Sequence, residues 1–235
     1  MKRILFFSIS LMAAISAFAQ NYPYQDPSLS PEERANDLLG RLSVEQKIML
    51  MDYDSPEIAE FGIRKYNWWN EALHGVGRHG NATVFPMPIS MAASFDTELL
   101  EEVFTVVSDE ARIKWNQVPS NPEDNMQYQC LTYWTPNINI FRDPRWGRGM
   151  ETYGEDPYLT AQLGMAVVRG LQGPREDGMV KTMACAKHYA LHSGPEWARH
   201  SFDAVASEKD LWETYLPAFK DLVQKSDVDQ VMFAY

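Results

Sequence analysis

Four helices are predicted to begin where a polar capping residue precedes an apolar run of helical period. The side chain of such a residue accepts a hydrogen bond from a backbone N–H that has no partner within the helix. These capping positions are Ser30, Ser43, Asp96 and Ser207. At Ser30, a proline at the next position and a glutamate three residues on complete the pattern of a capping box. The run after Asp96 predicts a long amphipathic helix from 97 to about 115.

Short apolar runs with strand character lie between these helices. They cover residues 66–69, 133–141, 183–189 and 230–235. Helices that alternate with buried strands predict an α/β fold, with a mostly parallel sheet covered by helices. The chain ends at Tyr235, inside the last of these runs and without a turn or a cap, so we expect the fold to continue beyond Tyr235.

The N-terminal segment MKRILFFSISLMAAISAFAQ predicts a secretory signal peptide over residues 1–19. A basic start is followed by an apolar run and by a small-x-small cleavage site that ends at Ala19. The apolar run is too short to favour a membrane-spanning helix. We therefore expect a secreted or periplasmic protein that has no membrane contact once the signal is removed.

Composition narrows the class of partner. Of the 235 residues, 45% are hydrophobic and 12% are aromatic, which indicates a globular protein. The formal net charge of -11 makes nucleic acid a poor partner, whereas neutral ligands remain open. The two cysteines, Cys130 and Cys185, are too few for a disulfide framework, and the sequence leaves open whether they pair.

The segment PRWGRGMETYGEDP at 144–157 concentrates charge in a stretch that is unsuited to a helix. It holds two arginines and three acidic residues among three glycines and two prolines. So many charges are buried only if they are paired or bound to a ligand. We expect one arginine to pair within the loop and Arg148, rather than Arg145, to contact a ligand. The candidate partners for the paired arginine are Glu151, Glu155 and Asp156.

Further polar residues follow predicted strands. Glu71 follows the first strand, within YNWWNEALHG, and Lys187 and His188 end the third. The carboxyl ends of barrel strands carry the chemistry of α/β barrels. Adjacent strand residues point to opposite faces, so Lys187 and His188 share a site only if the strand ends there. Tryptophan rings beside amide and carboxylate groups suit a sugar, although a core tryptophan pair with solvated neighbours is the alternative.

Two formal motifs are weaker. GVGRHG at 75–80 matches a dinucleotide-binding fingerprint, but the prolines that follow it are incompatible with the helix that this motif requires. His188 and His192 have the spacing of metal ligands on a helix, yet they lie at the end of a predicted strand, so we expect no metal and no cofactor.

Three segments together resemble family 3 glycoside hydrolases, in their N-terminal barrel domain. They are WWNEALHG at 68–75, NINIFRDPRWGRGMETYGEDPYL at 137–159 and AKHYALHSGPE at 186–196. The resemblance implies the N-terminal part of a (β/α)8 TIM-like barrel over residues 20–235, incomplete in this chain, followed in the family by an α/β sandwich domain that is absent here. By the same resemblance, Glu71, Arg148, Lys187 and His188 bind the hydroxyls of the terminal sugar of an oligosaccharide.

The resemblance also implies retaining, exo-acting β-glycoside hydrolysis. The form WW-x-EALHG is more similar to the β-xylosidases, which release xylose from xylo-oligosaccharides, than to the β-glucosidases, where an aspartate commonly takes the position of Glu71. No catalytic residue is expected in this chain, because the family's nucleophile and acid/base belong to segments that would lie beyond Tyr235. We therefore expect the chain alone to be inactive. The alternatives are a β-glucosidase and a non-catalytic sugar-binding module.

Overall fold

The computed structural model describes residues 22–119, 126–176 and 178–234. The predicted signal peptide at 1–19 lies outside these ranges. The helices are α1 (Pro31–Arg41), α2 (Val44–Leu50), α3 (Pro88–Ala92), α4 (Thr97–Trp115), α5 (Pro157–Gln172), α6 (Glu208–Asp210) and α7 (Pro217–Lys225). The strands are β1 (Asp54–Ser55), β2 (Tyr66–Asn67), β3 (Thr132–Tyr133), β4 (Met183–Tyr189) and β5 (Gln230–Phe233).

The chain forms two compact units, one up to Val44 and one from Glu45 onward. The first contains α1, which begins as predicted. The Ser30 hydroxyl accepts a hydrogen bond from the Glu33 N–H at 3.2 Å, and the Glu33 carboxylate accepts one from the Ser30 N–H at 2.9 Å. The capping box is therefore formed in full.

The second unit contains the parallel sheet. Its order is β3-β4-β5, and both pairs are parallel. This confirms the predicted α/β fold class, because the crossover from β3 to β4 contains α5 and the crossover from β4 to β5 contains α7.

The prediction for residues 66–69 is wrong in one respect. β2 does not join the parallel sheet but pairs antiparallel with β1. Only ten residues separate the two strands, and within them an Ile58–Ile63 bridge closes a tight turn at Gly62, whose φ is +66°. A parallel pairing needs a crossover longer than this, so only the antiparallel arrangement is open to the chain.

The predicted strand at 133–141 is wrong in its extent. β3 stops at Tyr133 because the next two N–H groups leave the ladder: that of Trp134 donates to the Asn70 carbonyl and that of Thr135 donates to the Tyr133 carbonyl. The segment nevertheless continues alongside β4. The Ile138 N–H donates to the Lys187 carbonyl at 2.8 Å, and the Lys187 N–H donates to the Pro136 carbonyl at 3.1 Å.

The predicted strand at 230–235 is present as β5, but its regular part ends at Phe233. The Ala234 N–H still donates to the Tyr189 carbonyl at 2.8 Å, so the backbone follows β4 for one residue more. Tyr235 lies outside the described residues. The extension of the strand to Tyr235, and the placement of the nucleophile and the acid/base beyond it, therefore stay predictions.

Two helices differ from the sequence expectation. The helix predicted from Ser207 is interrupted at Pro217, where a wider π-helical turn over Leu211–Tyr215 precedes α7. Helix α5 was not predicted, although it begins with the same signal as α1. The Asp156 carboxylate accepts a hydrogen bond from the Leu159 N–H at 2.6 Å, and a proline follows the cap.

The core lies where α5 packs against α4 and against the sheet. Its fully buried side chains include Leu100, Phe104 and Val107 of α4 and Leu163, Val167 and Leu171 of α5. The helices approach closely at Gly170, where a Cβ would lie 2.5 Å from the Glu101 carbonyl oxygen. Among the described residues, none of the helices has the length and apolar character needed to cross a bilayer.

Candidate functional site

The site lies where the loop at 144–157 meets the carboxyl end of β4. A 3-10 turn over Gly149–Glu151 follows Arg148 and carries Glu151 back toward it. Gly149 is required there, because a Cβ at this position would lie 2.2 Å from the ring of Phe141. The tight turn thus holds an arginine and a glutamate three residues apart on the same side of the loop.

Arg148 and Glu151 form a largely buried two-point ion pair. The arginine donates from Nε to Oε1 at 2.8 Å and from Nη2 to Oε2 at 2.7 Å. Glu151 also accepts a hydrogen bond from the Asn137 amide at 3.2 Å. Burial raises the pKa of Glu151, but the Arg148 hydrogen bonds and charge outweigh this and leave the pKa below its ordinary value. The carboxylate therefore remains ionised beside the guanidinium.

His188 connects Arg148 to the strand. Its Nε2 lies 3.0 Å from Arg148 Nη1, and its Nδ1 lies 3.0 Å from Asn139 Oδ1. Burial, together with the positive charges of Arg148 and Lys187, holds the pKa of His188 far below its ordinary value. The imidazole is therefore neutral.

Lys187 is the most unusual charged residue of the site. The residue is 3% exposed, and none of the hydrogen bonds and ion pairs of the described residues involves its ammonium. Burial lowers the pKa of Lys187, and the positive charge of Arg148 lowers it further. The negative charges of Glu151 and Glu71 raise it. A lysine in so enclosed a position, without a direct partner for its ammonium, is unfavourable unless a ligand completes its surroundings.

A bulge in β4 explains how neighbouring residues of one strand serve one site. In the pairing with β5, Lys187 lies opposite Met232 and Tyr189 lies opposite Phe233, so His188 is an extra residue in β4. A bulge breaks the strict alternation of side chains. The condition set by the sequence, that the strand ends at this point, is wrong, because β4 continues to Tyr189 and the bulge takes the place of a strand end.

Glu71 lies at the aromatic side of the site. Its Oε1 accepts a hydrogen bond from Trp69 Nε1 at 3.3 Å, and the Trp69 ring stacks on Trp134 with centroids 5.1 Å apart. The Glu71 carboxylate is close enough to act on the charge of Lys187. The structure thus brings Arg148, Lys187 and His188 into one cluster, with Glu71 beside it.

Arg145 takes a different role from Arg148. It pairs with Asp143 at 2.7 Å, and 58% of its side chain is exposed. The predicted division is wrong in one respect, because the arginine that pairs with an acid of the loop is Arg148, with Glu151, whereas Arg145 pairs with Asp143, which precedes the loop. The Arg145 hydrogen bonds lower the pKa of the Asp143 carboxyl to about 2. Arg145 therefore lies outside the cluster.

Sequence reasoning overlooked two buried asparagines, Asn137 and Asn139. The first donates to Glu151 and the second contacts His188. Their signal was the alternation NIN within an apolar run, because residues two apart on an extended chain share a face.

The weaker motifs have other roles in the structure. The rings of His188 and His192 lie 4.5 Å apart, but the described residues contain no group of three His, Cys, Asp or Glu side chains suited to a metal ion. Gly75 follows a loop, not a strand, and a loop continues after it, which is incompatible with a dinucleotide fingerprint. Cys130 and Cys185 are separate buried thiols.

Comparison with protein families gives a decisive match. Residues 60–235 match the glycosyl hydrolase family 3 N-terminal domain. The chain belongs to this family. A xylan 1,4-beta-xylosidase from Xylanibacter ruminicola is 54% identical over all of the family 3 chain, and beta-xylosidase/alpha-L-arabinofuranosidase 1 from Medicago sativa subsp. varia is 44% identical over 92% of it. The chain spans only 28% and 29% of these two relatives.

Solved glycosidase structures share the fold of this chain over part of their length. A GH3 exo-beta-xylosidase (XlnD), in complex with a xylobiose aziridine probe, superposes with a TM-score of 0.79 and 33% identity, over 91% of this chain and 28% of that one. A beta-glucosidase from Erythrobacter marinus has a TM-score of 0.70 over 90% of this chain and 32% of that one, at 22% identity, which supports the fold alone. The predicted α/β fold of the family's N-terminal domain is confirmed.

Proposed function

We propose that this family 3 chain supplies the sugar-binding part of the active site of an exo-acting β-xylosidase. The observation that carries the proposal is Lys187, a buried residue whose ammonium has no direct acceptor among the described residues. A sugar hydroxyl would accept a hydrogen bond from it, and such charge-assisted bonds are stronger than neutral ones.

The charges of the cluster favour a neutral ligand. Lys187 and Arg148 contribute two positive groups, Glu151 and Glu71 contribute two carboxylates, and His188 is neutral. A site for a phosphate or a carboxylate would need a surplus of positive charge. A neutral ligand with many hydroxyls accepts from the cations and donates to the carboxylates.

The names of the relatives support xylose, rather than another sugar, as the ligand. Relatives at 43–54% identity are named as β-xylosidases, and one of them carries α-L-arabinofuranosidase in the same name. Several β-glucosidases share the fold at 22–28% identity, so glucose is the second candidate and arabinofuranose the third. A xylose pocket must exclude the hydroxymethyl group of glucose, and Glu71 with Trp69 would supply the bulk that does so.

The reaction requires groups outside this chain. Retaining hydrolysis uses two carboxyl groups about 5–5.5 Å apart, one as nucleophile and one as acid/base. We expect both beyond Tyr235, in the remainder of the longer polypeptide. The cluster described here would hold the terminal sugar by contacts that strengthen as the ring gains oxocarbenium character.

Substrate panels test the proposal. The longer polypeptide that carries this sequence is assayed on aryl β-D-xyloside, aryl β-D-glucoside and aryl α-L-arabinofuranoside. We expect the highest kcat/KM on the xyloside and a shift toward glucoside in Glu71→Asp, because the shorter side chain leaves more room. Binding of xylose without hydrolysis of any of the three substrates would indicate a non-catalytic module instead.

We further propose that the protein is exported. The predicted signal at 1–19 supports this. Cell fractionation with N-terminal sequencing should find a mature chain that begins at Gln20; a cytoplasmic protein that retains Met1 would overturn the proposal.

A further inference from the structure

The side-chain amide of Asn139 has only one orientation that satisfies its neighbours. Its Nδ2 lies 2.8 Å from the His188 carbonyl oxygen and 3.1 Å from the Ala190 carbonyl oxygen, and carbonyls only accept. The amide nitrogen must therefore face these two oxygens, and Oδ1 must face the other way. The residue is 4% exposed, so water does not compete for these bonds.

This orientation determines the tautomer of His188. Asn139 Oδ1 accepts from the His188 backbone N–H at 2.8 Å and lies 3.0 Å from His188 Nδ1. Because Oδ1 has no hydrogen to give, Nδ1 must carry the proton of the neutral ring. Nε2 then has a lone pair, and it is directed at Arg148 Nη1, 3.0 Å away, which always donates.

We infer that Asn139 is a positioning residue that holds His188 in the Nδ1-protonated form, so that His188 supports Arg148 as a hydrogen-bond acceptor instead of donating to the sugar. The consequence for hydrolysis rests on the proposed function. The arrangement gives Arg148 a second anchor beside Glu151, from a different part of the chain. A guanidinium fixed at two points is preorganised for its ligand.

The tautomer is measured directly by NMR. The polypeptide is labelled with 15N-histidine, and the His188 signals are assigned by their loss in His188→Gln. We expect the 15N chemical shift of Nδ1 to be that of a protonated ring nitrogen and the 15N chemical shift of Nε2 to be that of an unprotonated one. The opposite assignment would overturn the inference, whether or not the protein hydrolyses xylosides. This measurement needs no variant of Asn139 that has to fold.

Asn139→Asp gives a second test through pH. A carboxylate beside Nδ1 favours the doubly protonated ring, whose Nε2–H can no longer accept from Arg148. The groups that face His188 and oppose this protonation are Arg148, Lys187, His192 and Arg199. We expect kcat/KM on an aryl xyloside to fall about tenfold or more at acid pH and to recover as the pH rises. The change should appear in this variant and not in the unsubstituted protein.

A matched control separates positioning from general stability. The Thr182 hydroxyl donates to the Leu171 carbonyl at 2.7 Å and is equally buried, but it does not contact His188. Thr182→Val should therefore leave the pH profile and the tautomer unchanged. If Asn139→Asp has the same pH profile as Thr182→Val, the inference is wrong. If the unsubstituted protein hydrolyses no glycoside, the proposed function fails, while the NMR result still decides the tautomer.

Discussion

Two ion pairs with the same distance have different surroundings in this molecule. Arg148–Glu151 and Arg169–Glu101 both have a nitrogen-to-oxygen distance of 2.7 Å. The side chains of the first pair are 16% and 14% exposed, and those of the second are 44% and 43% exposed. The first lies at the carboxyl edge of the parallel sheet, and the second joins the outer surfaces of α4 and α5. The two pairs differ in burial and also in geometry, because Arg148 donates two hydrogen bonds to its glutamate and Arg169 donates one.

Burial changes how much each ion pair contributes to folding stability. Water and salt weaken the attraction at the helix surface, and either side chain can turn to solvent when its partner is lost. In the buried pair neither charge has that alternative. Glu151 also acts on Lys187 and accepts from Asn137, so its loss would disturb more than one partner.

The largest expected effect is on folding stability in Glu151→Gln. The substitution leaves the Arg148 charge buried without its counterion, which we expect to lower the free energy of unfolding by about 3 kcal/mol. Glu101→Gln is the matched surface variant and should change it by less than about 1 kcal/mol. Urea denaturation of both variants measures the difference. Equal losses would show that burial does not separate the two pairs.

Next is the effect of Lys187→Met on hydrolysis. If the ammonium binds a sugar hydroxyl, kcat/KM should fall by about 10- to 150-fold, which corresponds to roughly 1.5–3 kcal/mol for a hydrogen bond to a charged group. Stability should not fall, because the variant removes a buried charge that has no direct partner.

The control for that experiment is Lys181→Met. Lys181 precedes the same strand but pairs with Asp109 at the surface, at 2.5 Å. It should retain the activity of the unsubstituted protein. A Lys187→Met enzyme that keeps its full kcat/KM would remove the basis of the proposed function.

A smaller effect concerns acid stability. Burial, followed by the charges of Arg148 and Arg199, lowers the pKa of His192 from 6.5 to about 4. Between these values the unfolded chain binds a proton that the folded chain does not. The stability that the neutral form of His192 contributes is therefore fully present above pH 6.5 and is lost as the pH falls toward about 4. The melting temperature should fall less steeply across this pH range in His192→Gln than in the control His200→Gln, because His200 is exposed.

The smallest effect is expected at Arg145. Its pair with Asp143 is largely exposed on the arginine side, so Arg145→Met should change the melting temperature very little and leave kcat/KM within about twofold. A large loss of activity would place Arg145 in the site and contradict the distinction between the two arginines of the loop.

Local features were the most accurately predicted from the sequence. The caps at Ser30 and Asp96 are present, and α4 covers the predicted residues. The same reasoning overlooked α5, although Asp156 and Pro157 carry the same signal. It also extended β3 across Pro136, because an apolar run by itself does not indicate where hydrogen bonding to a neighbouring strand stops.

The sequence by itself determined the helix starts, the parallel α/β class and the identity of the charged residues that follow its strands, because capping and periodicity act over a few neighbouring residues. Only the tertiary structure decided that Arg148 and not Arg145 is buried, that a bulge lets Lys187 and His188 share a site, and that Asn139 contacts His188. These outcomes depend on contacts between residues 40 and 49 positions apart, which no local pattern encodes.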